Sequence, residues 1–152
     1  MSAPSTRLAE LGIDLPSVVP PAAAYIPAKQ TGEVIYTSGQ LPFVDGVMMG
    51  TGYLGKDVSV EDGYAMARRC ALNAVAAAAS VAGGVDNLKG VVKVVGFVAS
   101  AEGFTNQPAV VNGASELLGE IFGDAGKHAR SAIGMAELPF AAPVEVEVIF
   151  QL

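Results

Sequence analysis

Two residues near the end of the chain, Arg130 and Glu145, have the right character and setting for chemistry. Residues 126–152 read GKHARSAIGMAELPFAAPVEVEVIFQL and hold two runs suited to strands, 130–137 and 143–150, joined by a turn containing Leu-Pro. In the second run Val144, Val146, Val148 and Phe150 alternate with Glu145 and Glu147, the period of a half-buried strand. In the first, Ala132, Gly134 and Ala136 share a face with Arg130, so space is expected in front of a guanidinium that stays cationic at any working pH. Such a fork of donors suits a carboxylate ligand, the alternative being an ion pair with a local acid. A carboxylate at Glu145 facing a half-closed cavity can hold a water and take its proton, more readily if burial raises its pKa; the plainer alternative is a solvated strand face. His128, the single histidine, has no cluster of further ligands, so it reads as a loop histidine and no metal site is expected. Cys70 falls mid-helix and reads as packing. No Gly-x-Ser-x-Gly, phosphate loop or Cys-x-x-Cys is present.

The elements that position these groups follow from the patterning. Residues 1–20 form an arm, with a short amphipathic piece at 6–11 and then Leu-Pro and Val-Val-Pro-Pro; residues 21–152 form the domain. The arm either packs on the core or covers a neighbouring subunit's edge. Strands are expected at 22–27 and 33–38 around a Lys-Gln-Thr-Gly turn, and a third short strand at 47–49 in a glycine-rich stretch. Ser59-x-x-Asp62 resembles a capping box, so a helix should run to about Ala82, where Gly83-Gly84 ends it. The β-branched run 88–99 fits a buried central strand. Pro108 opens a second helix, with Val110 or Val111, Ala114, Leu117 or Leu118, and Ile121 at helical spacing to about Phe122. The order β-β-β-α-β-α-β-β is α+β, with two helices on one face of a mixed sheet. If the last two strands formed a simple hairpin, Arg130 and Glu145 would lie on the order of 15 Å apart along it. A bulge, a long side-chain reach or two different chains would then be needed to join them.

The pattern A-R-S-x-x-x-x-x-x-L-P followed by an alternating V/I-E strand resembles the RidA/YjgF family of reactive-imine deaminases. Residues 33–42, EVIYTSGQLP, are similar to that family's strand ending in Ser-Gly-Gln-x-Pro, here Ser38, Gly39, Gln40 and Pro42. Tyr25 lies at the spacing of the family's substrate-side tyrosine, and Asn112 falls near a family asparagine. The resemblance implies a chorismate-mutase-like fold and a homotrimer whose sheets surround a central core. Ligand cavities would lie between subunits, and no cofactor would be needed. It further implies hydrolysis of 2-imino or 2-enamino acids to 2-keto acids and ammonia. Arg130 would grip the carboxylate, and Glu145 would position the attacking water. Tyr25, Ser38 and Gly39 would supply the opposite wall, although these could equally be an ordinary strand-end turn. The reactive cysteine often found two residues after the family's arginine is Ala132 here, which excludes chemistry through that thiol.

Composition narrows the alternatives. At 152 residues, 51% apolar and 16% charged, the chain is one domain with apolar surface to hide, which suggests an oligomer. Nine Lys and Arg against fifteen Asp and Glu give a net charge of −6, unsuited to nucleic acid. The longest apolar run, about 74–81, is too short to span a bilayer, and no signal peptide is evident, so no membrane association is expected. A lone cysteine excludes an internal disulfide and fits a reducing cytoplasm. Three rivals to the deaminase remain. One is a non-catalytic binding protein for small carboxylates. A chorismate-mutase-like rearrangement would need more cations than Arg130 alone. RNA cleavage is opposed by the acidic charge.

Overall fold

The structure is a computed structural model that describes residues 2–20 and 23–152. A five-stranded mixed sheet carries two long helices on one face, the expected α+β architecture. In chain order, α1 (Pro4–Glu10) lies in the arm, followed by β1 (Ala28–Thr31), β2 (Val34–Thr37), β3 (Phe43–Val44) and β4 (Val47–Met48). Then come α2 (Val60–Ala82), β5 (Gly90–Ala99), α3 (Gln107–Phe122), β6 (Ala129–Met135) and β7 (Val144–Gln151). The sheet order is β1-β2-β7-β5-β6, with only β5 and β6 parallel. No helix among the described residues is long and apolar enough to cross a membrane.

The helices form for the reasons their sequences imply. Ser59 Oγ accepts a hydrogen bond from the Asp62 amide at 3.0 Å, and Gly83 closes α2 in the left-handed conformation, φ +77°. Ala67, Ala71, Ala74 and Ala78 recur on one face of α2, and all are fully buried. Their small side chains let α2 lie close to the sheet and to α3. A side chain on Gly113 of α3 would come within 2.0 Å of the Tyr64 carbonyl oxygen, so the helix pair needs glycine there. Val110, Ala114, Leu117 and Ile121 bury the facing stripe of α3.

Three expectations are corrected. The first strand is not 22–27 but Ala28–Thr31, so Lys29, Gln30 and Thr31 pair instead of turning; of the expected span, Ala22 lies outside the described residues. Gly32, at φ +56°, is the first central residue of a two-residue hairpin turn, and that turn sets the register. The strand expected at 47–49 belongs to a separate ribbon, β3–β4, outside the main sheet.

The third correction matters most. β6 and β7 are not a hairpin: each pairs with β5, on opposite sides. A strand that follows β5 through a helix can return parallel to it, and α3 supplies that crossover. The link between β6 and β7 then crosses over β5, through a 3-10 turn at Pro139–Ala141 in which Phe140 (φ +57°) and Ala141 (φ +55°) are both left-handed.

The arm packs on this chain's own core. Leu8 is 4% exposed, and Leu11, Ile13 and Leu15 pack beside it. Arg7 Nε donates to the Glu120 carbonyl of α3 at 3.1 Å, and the Ser5 amide and hydroxyl both donate to Asp86, at 2.8 and 2.7 Å.

Candidate active site

The helix-side group is centred on Arg130. In the parallel ladder Arg130 lies opposite Val94, which is fully buried beneath the helices. Its side chain therefore turns toward α3, where Nη1 donates to Asn112 Oδ1 at 2.8 Å and to Ser115 Oγ at 3.2 Å. Asn112 and Ser115, three apart on the helix, share one face. Ser115 Oγ is 2.9 Å from His128 Nε2, and His128 Nδ1 is 2.6 Å from the Gly126 carbonyl oxygen. A carbonyl oxygen only accepts, so Nδ1 carries a proton, and in the neutral imidazole Nε2 then accepts from the serine hydroxyl. The hydroxyl oxygen is thereby left to accept from Arg130. The chain of bonds thus has one direction and fixes the guanidinium.

Among the described residues, ion pairs join Arg7 to Glu10, Arg68 to Glu120 and Lys127 to Asp124; none involves Arg130. The local-acid alternative for Arg130 therefore has no structural counterpart. The space expected beside Arg130 is partly filled. Ala132 packs against the core, and the place of a Gly134 side chain is taken by Gln107 Nε2 at 3.0 Å and Ser100 Oγ at 3.2 Å. Small residues on β6 seat the start of α3, which periodicity along a single strand does not show.

The second group lies on the other face. Glu145 is opposite Phe97, three residues along β5 from Val94, and side chains an odd number apart point to opposite faces. Beside it, Gln40 exchanges two backbone hydrogen bonds with Val146, at 2.8 and 3.0 Å. That bridge draws Gly39 against Glu145: a side chain on Gly39 would meet Glu145 Oε1 at 1.9 Å. Gly39 does not take a positive φ, so it is there for space and not for backbone conformation. Ser38 donates its amide to the Pro27 carbonyl (2.8 Å) and its hydroxyl to that of Ile26 (2.6 Å), anchoring the segment that carries Tyr25. Tyr25, 58% exposed, and Gly39 both line one cavity. Burial, with a smaller contribution from the charge of Glu147, holds the Glu145 carboxyl above its ordinary pKa, which strengthens it as a base.

One chain therefore brings together Arg130 and Asn112, and separately Glu145, Gly39, Ser38 and Tyr25. It does not join the two groups. They lie on opposite faces, separated by roughly 10 Å along β5 and by two strand spacings. Ser115 and His128 were missed as partners of Arg130. The one available signal was that Ser115 shares a helix face with Asn112.

Known proteins align with this chain over nearly its whole length. Residues 5–151 match the family described as "YjgF/chorismate_mutase-like, putative endoribonuclease", a span that begins inside the arm. Protein TCP17 of Trypanosoma cruzi is 43% identical over 149 residues, covering 97% of this chain and 93% of that protein. A crystal structure of a protein of unknown function from Agrobacterium tumefaciens superposes with a TM-score of 0.88 at 43% identity, over 98% of this chain and 92% of the other. A "putative endoribonuclease" from Shewanella oneidensis MR-1 does so with a TM-score of 0.94 at 32% identity, over 99% and 100%. With the motifs around Arg130 and Ser38–Gln40 set on this fold, the chain belongs to the RidA/YjgF family.

Proposed function

We propose that the protein hydrolyses 2-imino or 2-enamino acids to 2-keto acids and ammonia in the cytoplasm, at sites between the subunits of a homotrimer. The observation that carries this reading is the preset guanidinium of Arg130, bonded to Asn112 and Ser115 and paired with no acid among the described residues. A rigid fork that keeps donors for a ligand suits the substrate carboxylate next to the imine carbon. Glu145 of a neighbouring copy, with its raised pKa and its carboxylate against Gly39, would take a proton from water as that water attacks the imine carbon. Glu145 passes that proton to the nitrogen of the resulting carbinolamine; the carbinolamine hydroxyl then gives up its proton to the nitrogen as the C–N bond breaks, so ammonia leaves and the 2-keto acid remains. The Gly39 amide and Tyr25 would orient the rest of the substrate. Such imines react with water unaided, so positioning and one acid–base group suffice, and no cofactor is invoked.

A second reading, a non-catalytic receptor for small carboxylates, is favoured by one fact: within one chain Glu145 lies on the opposite face of the sheet from Arg130. The endoribonuclease wording of the family description is not extended to this chain, because a net charge of −6 opposes binding to a phosphate backbone.

The test is to generate 2-iminopropanoate and bulkier imino acids in place with an amino-acid dehydratase or oxidase, and to follow imine loss. Wild type should accelerate it, and Arg130→Ala should lose the acceleration. No acceleration of any imine by folded protein would sink the deaminase reading and leave the receptor.

A further inference from the structure

A cavity of about 520 Å3 lies between the arm and α2, within one chain and away from Arg130. That volume falls in the range of small-molecule sites, roughly 300–1,000 Å3. Its walls are largely apolar, with Val18 from the arm, Ala76 from α2 and the rings of Tyr25 and Phe43. Prolines 16, 20 and 27 also line it. They stiffen the arm wall, so little order has to be imposed when a ligand binds.

One polar group in this lining has no matching charge. Arg69, half-buried on α2, donates Nε to the Phe43 carbonyl at 2.8 Å and takes part in none of the ion pairs among the described residues. Asn73, one turn further along the helix, donates Nδ2 to the Leu41 and Phe43 carbonyls at 2.9 and 3.2 Å. These bonds tie the 41–43 wall to α2 and hold Arg69 in place. Asp45 also lines the cavity and repels an anion, but it is exposed, so solvent screens its repulsion more than it screens the attraction of the half-buried Arg69.

The rim is strained as well. Phe140, 77% exposed as a residue, lines the cavity with its ring 6.3 Å from that of Phe43 and edge-on at 71°. It does so from a left-handed backbone shared with Ala141, a conformation that side-chain-bearing residues rarely adopt. Glycine would relieve that strain, but it would remove the ring from the rim.

We infer that this cavity binds a monocarboxylic acid with an aromatic or branched apolar body. The carboxylate sits on the terminal nitrogens of Arg69, and the body lies among Val18, Tyr25 and Ala76, with Phe140 over the mouth. The inference goes beyond the deaminase reading: Tyr25 and Gly39 line this cavity and also wall the proposed imine site, but Arg69 and Arg130 are separate anchors, so either reading can fail without the other.

The experiment uses the full chain carrying Arg130→Gln, so that a carboxylate held at Arg130 cannot contribute. The probes are acetate, 3-phenylpropanoate and its neutral amide, 3-phenylpropanamide, with binding read by calorimetry and by backbone amide shifts. The phenyl acid should bind at least tenfold more tightly than acetate and severalfold more tightly than the amide, shifting the signals of Val18 and Ala76, which the imine site does not use. Adding Arg69→Gln should equalise acid and amide. Val18→Trp, which fills the cavity from the exposed arm without disturbing α2, should abolish binding of both. Equal binding of acid and amide before Arg69 is changed, shifts confined to other residues, or no binding of any probe would each overturn the proposal. The imine assay on the unmodified chain reports on Arg130 separately.

Discussion

Glu145 combines a catalytic opportunity with a stability cost. Burial raises its pKa in the fold, so the folded protein prefers the protonated carboxyl. The sign follows: a group whose folded pKa lies above its unfolded value favours folding at low pH, and that contribution is lost as pH rises through the folded pKa. Glu145→Gln keeps the shape and removes the charge. It should therefore unfold at higher urea than wild type at neutral pH, with the difference closing as pH falls below the carboxylate range. In the imine assay, the acid limb of wild type should lie above the ordinary carboxylate pKa and be absent from the variant. Urea titrations across pH in which the variant is the less stable at neutral pH would contradict the assignment. Gly39 belongs to the same account, because its missing side chain is the space in which the Glu145 carboxylate lies.

Among the elements, the arm is the clearest case of an added piece integrated by packing. α1 is only seven residues long, too short to be stable alone. It is held by Leu8 in the core and by the bonds of Arg7 and Ser5 to α3 and Asp86. Leu8→Ala should cost about 2–4 kcal/mol, measured as a lower urea midpoint with an unchanged slope. A loss below about 0.5 kcal/mol would mean that the arm contributes no more than a surface residue does. The pairing of β6 shows a second lesson at this scale. Two strands adjacent in sequence do not pair when the strand before them already offers both of its edges, and β5 takes β6 on one side and β7 on the other.

For the whole molecule, the decisive feature is the face of the sheet that bears no helix. Tyr36, Lys93, Val95, Phe97, Ile133 and Ile149 share it with Glu145 and Glu147, and Tyr36 and Ile133 are 46% and 42% exposed. Apolar side chains in a row on a bare sheet favour association between copies. If each reaction site takes Arg130 from one copy and Glu145 from the next, two inactive variants should complement each other. Arg130→Ala and Glu145→Ala, unfolded together and refolded as a mixture, should recover about a quarter of wild-type activity, because in random assembly each intact half is supplied with even odds. The same variants refolded apart and then combined briefly should stay inactive. Activity no greater than the average of the two variants after co-refolding would place both residues of a site in one chain.

The chain by itself determined what depends on local pattern. The alternation along β7, the alanine stripe of α2, the Ser59 cap and the valine and leucine stripe of α3 all specify elements through contacts within a few residues, and the motifs at Arg130 and Ser38–Gln40 were enough to indicate the family. Only the tertiary structure decided the rest, because partners far apart in sequence leave no period in it. It placed β6 and β7 on opposite sides of β5 and set Arg130 and Glu145 on opposite faces. It also tied His128 through Ser115 to Arg130, and it set Arg69, in no ion pair among the described residues, on the wall of a cavity behind the arm.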